Sequence, residues 1–303
     1  MNTSIRICMV GAGRVGKNHS KSLKNYVPNC EIVAMVDPVE QVLNATANEY
    51  EIEGRFSSLE HALEKVKFDA VVITTPTFTH KDLACLAASQ GKHVFLEKPM
   101  ALSIEECDSI IDAAEKNHII LQLGFMRRFH PEFVNASKRI ESGEIGQPMM
   151  IKSLTHGPGL PPAWACDLKT SNGMLAEVNS HDWDSVCWLM GSDIERVYTE
   201  IANFKGAINN INIPNFYDNV LVDIRFINGG IGSISGICPC DYGYDARVEI
   251  VGTKGIMQIG ELQGQAIVVC TNRDQGLISP IYRTWPERFE WGYIREMQHF
   301  NLD

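Results

Sequence analysis

The segment Val10-Gly11-Ala12-Gly13-Arg14-Val15-Gly16-Lys17 limits this chain more tightly than any other. It follows the short apolar run Ile5 to Val10 and stands where a helix must begin, so its three glycines complete a G-x-G-x-x-G between strand and helix. Gly11 serves the tight turn, Gly13 lets the backbone approach a diphosphate, and Gly16 lets the helix pack on the strand; Arg14 and Val15 lie in the same turn. Asp37 closes the next apolar run 21 residues after Gly16, where a carboxylate accepts hydrogen bonds from ribose hydroxyls. The alternative is an ordinary strand-to-helix turn beside a solvated aspartate. If a dinucleotide binds, Asp37 and Glu40 repel a 2′-phosphate and Pro38 offers it no amide, which favours NAD over NADP unless an arginine reaches in from elsewhere.

Apolar runs at Ile5 to Val10, Ile32 to Val36, Ala70 to Thr74, Val94 to Leu96 and Ile119 to Leu123 alternate with helical patterns, as buried parallel strands with crossovers do. Ser57 with Glu60, and Ser103 with Glu106, fit capping boxes, and Gly91 fits a left-handed stop after a Lys81 to Gln90 helix. Beyond Gly124 the pattern changes. Helices are expected over Pro131 to Ser142 and Met174 to Met190, followed by strands at Tyr198 to Ile201, Val220 to Phe226, Ile231 to Ile237, Val248 to Val251 and Ile256 to Ile259. The expected architecture is α/β: a Rossmann dinucleotide-binding domain over residues 1–123, then an α+β domain on a largely antiparallel sheet over 124–303.

Composition narrows the partners. With 45% hydrophobic residues and 303 positions the chain can bury a full core, and its formal charge of −10 repels nucleic acid and anionic lipid. No run reaches the ~18 apolar residues of a membrane span, and no signal-type segment opens the chain, so a soluble, cytoplasmic protein is expected. Nine scattered cysteines suit reduced thiols. The glycosylation-type triplets at Asn2, Asn44 and Asn135 then have no secretory route and read as chance.

Two clusters carry candidate chemistry. Thr74-Thr75-Pro76-Thr77 and Glu97-Lys98-Pro99 lie at the carboxyl ends of their strands, the edge of an open sheet where ligands settle, so Lys98 can present an ammonium group to them or be a solvated surface charge. Glu177 and His181 are four apart in one expected helix, so the carboxylate can tune the imidazole; histidine titrates near neutrality and suits proton removal from an alcohol. An exposed Glu/His pair on a helix is the plainer alternative.

Taken in order, VGAGRVGKNH, Asp37, TPTFTH through His80, LEKPM, GFMRRF through Phe129 and the Glu177…His181 segment resemble the Gfo/Idh/MocA oxidoreductases, nearest to their inositol dehydrogenase branch. The resemblance covers nearly the whole chain. It implies that Lys98 bonds the reacting hydroxyl and the nicotinamide ribose, that His181 is the general base, and that Glu177 stands where inositol dehydrogenases usually carry aspartate. Thr75, Pro76, His80, Glu97 and Lys98 would join the glycine turn and Asp37 in holding NAD. Arg127 and Arg128 would sit near the rim of the site, with Lys98, Glu177 and His181 at the substrate.

The implied activity is oxidation of a ring hydroxyl of a sugar, sugar derivative or cyclitol to a ketone. The alternatives are an NAD-recycling elimination or glycoside cleavage, and a dinucleotide-responsive regulatory protein without activity. The family also implies a homodimer or homotetramer through the second-half sheet. Relatives continue past Tyr293 to Phe300 with a further helical stretch returning to the nucleotide domain, whereas this chain stops at Asp303.

Some signals stay outside this scheme. His156 opens a Gly/Pro-rich stretch through Pro162 that shapes a pocket or is surface loop, and is counted with the substrate residues. Cys238-Pro239-Cys240 lacks the second cluster that zinc sites use, so no metal is expected. The tryptophans at 164, 183, 188, 285 and 291 are expected in the core or at subunit contacts, and Met126 and Phe129 are as suited to the core as to the site.

Overall fold

The computed structural model describes residues 4–208, 213, 215–260 and 282–300; the triplet at Asn2 and the chain end at Asp303 lie outside them. Two compact units emerge. The first takes the residues up to Phe129 together with those from Trp291 onward, and the second runs from His130 to Glu290.

In the first unit the order is β1 (Ile5–Val10), α1 (Arg14–Tyr26), β2 (Cys30–Val36), α2 (Glu40–Glu49), β3 (Gly54–Phe56), α3 (Leu59–Lys65), β4 (Ala70–Ile73), α4 (His80–Ser89), β5 (His93–Glu97), α5 (Ile104–Lys116) and β6 (Leu121–Gly124). The strands form one sheet in the order β3-β2-β1-β4-β5-β6 with every pair parallel, the doubly wound arrangement. Alternate residues explain why the strands read as unbroken apolar runs. Cys8, Val10, Val71 and Ile73 join the core beneath α4 and α5, while Ile7, Met9 and Val72 join that beneath α1 and α2. β3 escaped the sequence pattern because three residues show no period.

Capping follows the sequence with one shift. Ser103 Oγ accepts the Glu106 N–H as expected, but α3 is capped by Ser58, one residue after Ser57, through the His61 N–H. Gly91 is left-handed, φ +66°, after α4.

The second unit begins, after a short 3₁₀ turn at Met126–Phe129, with α6 (Pro131–Glu141) and β7 (Pro148–Pro158). Three single-turn helices follow: α7 (Ala163–Cys166), α8 (Leu168–Ser171) and α9 (Met174–Glu177). Then come α10 (Ser180–Met190), β8 (Ile194–Ala202), α11 (Lys205–Ile208), β9 (Asn219–Phe226), β10 (Ile231–Cys240), β11 (Asp245–Gly252) and β12 (Ile256–Ile259). The sheet order is β12-β11-β7-β10-β9-β8, antiparallel except between β10 and β7. One face carries Ile151, Val222, Ile234 and Val248 into the core under α10; the other leaves Tyr198, Leu221, Ile231 and Ile256 exposed.

Two expectations change here. β7 runs through His156 to Pro158, so His156 belongs to a strand and not to a loop. The helix expected from Met174 to Met190 breaks at Val178-Asn179 into α9 and α10. The tryptophans also differ from a core assignment, since Trp164, Trp183, Trp188 and Trp285 are half-buried and Trp291 is exposed.

The last helix, α12 (Trp285–Phe300), is kinked at Phe289, and from Trp291 its residues belong to the first unit. Met297 is fully buried in that unit's core, Phe300 packs edge-on against Phe95, and Gln122 Nε2 donates to the Glu296 carbonyl (2.9 Å). Met297→Ala should therefore cost about 2–5 kcal/mol in urea unfolding of the full chain. A loss under about 0.5 kcal/mol would show that the helix adds little to this core.

Candidate active site

The glycine turn is built by close main-chain contact. Gly11 has φ +103°, and a β-carbon there would lie 2.7 Å from Thr74 Oγ1. A β-carbon on Gly16 would lie 2.0 Å from the Gly11 carbonyl oxygen, so only glycine lets α1 pack this closely on the turn. Gly13 differs: a β-carbon there meets nothing within 4 Å. Its open side, beside the first amides of α1, is where a diphosphate can come up against backbone. Arg14 is exposed and Val15 half-buried at the start of that helix.

Asp37 braces the turn from β2. Its Oδ2 accepts the Ala12 N–H and its Oδ1 the Val39 N–H, each at 2.9 Å, while Thr46 Oγ1 donates to the Ala12 carbonyl (2.8 Å). The carboxylate is held at the strand end with lone pairs to spare for a ribose. These residues fit a dinucleotide: the turn has room over Gly13, amides for phosphates and an acid for hydroxyls.

Thr75, Pro76, His80, Glu97 and Lys98 are gathered around the ends of β4 and β5, with unequal access. His80 is buried, its Nδ1 facing the Pro99 carbonyl (2.8 Å) and its Nε2 the Thr75 carbonyl (2.9 Å). Burial holds its imidazole below the usual range against the pull of those carbonyls. It stands between the two ligand-edge segments, with one ring nitrogen turned toward a main-chain oxygen of each. Glu97 likewise turns inward: Oε1 lies 2.6 Å from His19 Nε2 and Oε2 accepts the Lys98 N–H (3.1 Å). Lys98, half-buried, precedes a cis peptide to Pro99. Arg127 is buried with 1% exposure beside buried Met126, whereas Arg128 is exposed and Phe129 packs on the His299 ring.

In the second unit, Glu177 ends α9 and His181 is the second residue of α10. The two residues therefore do not share the face of one helix, because the helix is interrupted between them. Asn179 makes the joint. A β-carbon on Gly236 of β10 would lie 2.3 Å from Asn179 Oδ1, so the break seats against a glycine in the sheet. Asn179 Nδ2 donates to Asp182 Oδ2 (2.8 Å), and Asp182 Oδ1 accepts from Ser153 Oγ (2.5 Å), all three side chains buried. His181 is buried beside this network, and its carbonyl accepts from Ser185 Oγ (2.6 Å). Glu177 lines a small cavity with Gly173, Met174, Tyr217 and Cys238. Tyr217 fixes the start of α9 by accepting the Leu175 N–H (3.1 Å).

His156 stands on β7 between hydroxyls, with Nδ1 to Tyr242 Oη and Nε2 to Ser235 Oγ (3.1 Å). Burial lowers its basicity despite nearby Asp245. The pleat sends its side chain to the face opposite Ser153, which reaches α10. Asn179, Asp182, Ser153, Tyr217 and Tyr242 escaped the sequence reading. Only Asp182, one residue past His181, carried a local hint.

A doubly wound sheet with a dinucleotide turn, joined to a mixed-sheet unit carrying a buried histidine, defines an NAD-binding oxidoreductase. Residues 5–125 match the oxidoreductase family model with NAD-binding Rossmann fold, and residues 133–258 match the GFO/IDH/MocA C-terminal domain. The chain belongs to the Gfo/Idh/MocA family of NAD-dependent oxidoreductases. It is 35% identical to scyllo-inositol 2-dehydrogenase (NAD(+)) of Bacillus subtilis, over 99% of this chain and 86% of that protein. It is 29% identical to myo-inositol 2-dehydrogenase of Thermotoga maritima, over 98% and 87%. The solved scyllo-inositol dehydrogenase of Lactobacillus casei with bound NAD(H) and scyllo-inositol aligns with TM-score 0.88 at 25% identity, covering 98% of this chain and 88% of that one.

The two glycines give opposite expectations. Gly13→Ala should leave the melting temperature nearly unchanged and weaken NADH binding in a fluorescence titration by about tenfold or more, because its methyl takes the open side of the turn. Gly16→Ala should lower the melting temperature as well. Unaltered NADH binding in Gly13→Ala would remove the diphosphate from this turn.

Proposed function

We propose that this enzyme oxidises one ring hydroxyl of an inositol to the ketone with NAD, and that Lys98 and His181 act on that same hydroxyl. The observation that carries the substrate class is the near full-length similarity to two inositol 2-dehydrogenases and to a structure holding scyllo-inositol. When bound, the nicotinamide supplies the two-electron acceptor for the carbinol hydrogen.

The chain's own groups do the rest. The turn from Gly11 to Gly16, with Arg14 and Val15, and Asp37 bind the diphosphate and ribose, with Thr75 and Pro76 along the adjoining edge. His181 removes the hydroxyl proton, a task suited to an imidazole at neutral pH. Lys98 hydrogen-bonds the oxygen as negative charge develops, which lowers the barrier. Glu177 and Arg127 complete the substrate contacts. Because Glu177 ends one helix and His181 starts the next, the longer glutamate does not depend on helical spacing to reach its target. Asn179 and Asp182 fix where α10 begins and so where His181 sits.

The exposed sheet face with Tyr198, Leu221, Ile231 and Ile256 supports pairing with a second copy of the chain, as a homodimer or homotetramer. The eight described cysteines are all unbridged, which suits the cytoplasm.

Two measurements check this. NADH formation should appear with scyllo- or myo-inositol, and Lys98→Ala or His181→Ala should each lower kcat by about 10²-fold or more. Full turnover in His181→Ala would remove it from the base role. For assembly, Leu221→Glu should lower the mass seen by light scattering while changing monomer stability by less than about 0.5 kcal/mol; an unchanged mass would place the interface elsewhere.

A further inference from the structure

Behind the Lys98 edge, the first unit encloses a cluster that the proposed chemistry leaves unused. His19 of α1, Glu97 of β5 and Glu296 of α12 are all buried, with one donor atom from each lying within 4.8 Å of the others. His19 and Glu296 have no exposed surface. Glu97 is held on several sides: His19 Nε2 lies 2.6 Å from Oε1, Oε2 accepts the Lys98 N–H, and Gly124 of β6 leaves space for the carboxyl, since a β-carbon there would be 3.2 Å from Glu97 Cδ. Glu296 has no hydrogen-bond partner for either oxygen among the described residues.

We propose that Glu296 is carried as a neutral carboxylic acid behind Glu97, and that His19 and Glu296 are positioning residues that hold the Glu97 rotamer fixing the Lys98 main chain. The positioning role rests on the function proposed above for Lys98; the protonation of Glu296 does not. Two buried carboxyl groups with donor atoms this close raise the cost of charging one another, so one of them is favoured in the neutral form. Burial and the Glu97 charge push the Glu296 carboxyl well above the usual range. It faces His19 from α1 and Glu97 from β5, while its own helix brings the Tyr293 ring edge-on against His19. From β6 come Gly124 and Gln122, which do not titrate.

The same three donors could take a divalent cation. The geometry favours the proton because His19 aims Nε2 at the Glu97 oxygen itself, at hydrogen-bond distance, and not at a centre shared by all three.

A carboxyl raised in the folded state keeps a proton that the unfolded chain has released, so stability falls as pH rises above the ordinary carboxylate range until Glu296 itself ionises. Melting curves of the full chain without NAD, from about pH 5 to about pH 9, should show Glu296→Gln gaining on the wild type as pH rises, by about 2–6 °C. A Gln variant whose difference from the wild type stays constant or widens against it as pH rises, or a wild type carrying about one equivalent of divalent metal that the variant lacks, would overturn the neutral acid.

Inositol oxidation tests the positioning. His19→Leu should lower kcat about tenfold or more with NADH affinity held within about twofold, and His19→Gln, which keeps an N–H for Glu97, should restore most of it. An unchanged kcat in His19→Leu, with Lys98→Ala impaired, would overturn the positioning role. An unimpaired Lys98→Ala would instead overturn the proposed role of Lys98, and with it the positioning role, leaving the melting curves to decide the protonation alone.

Discussion

The contact of Gly16 with the Gly11 carbonyl governs the nucleotide-binding unit. It is backbone against backbone, so no side-chain adjustment can relieve it, and it fixes where α1 starts and which way it runs from β1. Two consequences travel along that one helix. Its first amides stand beside the open side of Gly13, and three residues beyond Gly16 it delivers His19 to Glu97 at the end of β5. The glycine turn and the His19–Glu97 contact behind Lys98 are thus set by the same packing event. His80 adds a second tie, between the segments after β4 and β5, using main-chain oxygens on both sides.

The second unit solves its placement problem differently. An unbroken helix would carry Glu177 and His181 at a fixed spacing on one face. Here the helix is cut, and Asn179 at the cut is seated on Gly236 while Asp182 ties it to Ser153. The buried Asp182 carboxyl accepts from both Asn179 Nδ2 and Ser153 Oγ, and removing a donor from a buried acceptor is costly, so it anchors the start of α10 to β7. The place of His181 near the start of α10 therefore follows from packing on the sheet and not from a helix shared with Glu177.

How much of this was legible in the sequence depended on the range of the interactions. The glycine turn, Asp37, the Ser103 cap and most strands are local patterns, and they stand where the sequence puts them. β3 was too short to show a period, and β7 was obscured because His156 to Pro158 carry Gly and Pro that read as loop while their strand pairing comes from β10 and β11 far along the chain. The α9–α10 break was invisible for the same reason: its cause is a glycine in a distant strand. His19 and Glu296 are 277 positions apart, and only the return of α12 to the first unit makes them neighbours of Glu97. Glu97 was legible as a member of a ligand edge and His80 through the family resemblance alone, but whether a side chain at that edge faces the ligand or the interior is decided by tertiary packing.

The proposed oxidation requires Lys98 and His181 to serve one substrate hydroxyl. A crystal structure of the ternary complex with NADH and scyllo-inositol tests this most directly. Lys98 Nζ and a ring nitrogen of His181 should both lie within about 3.2 Å of the same inositol oxygen. An inositol bound with either group turned to a different cavity would contradict it.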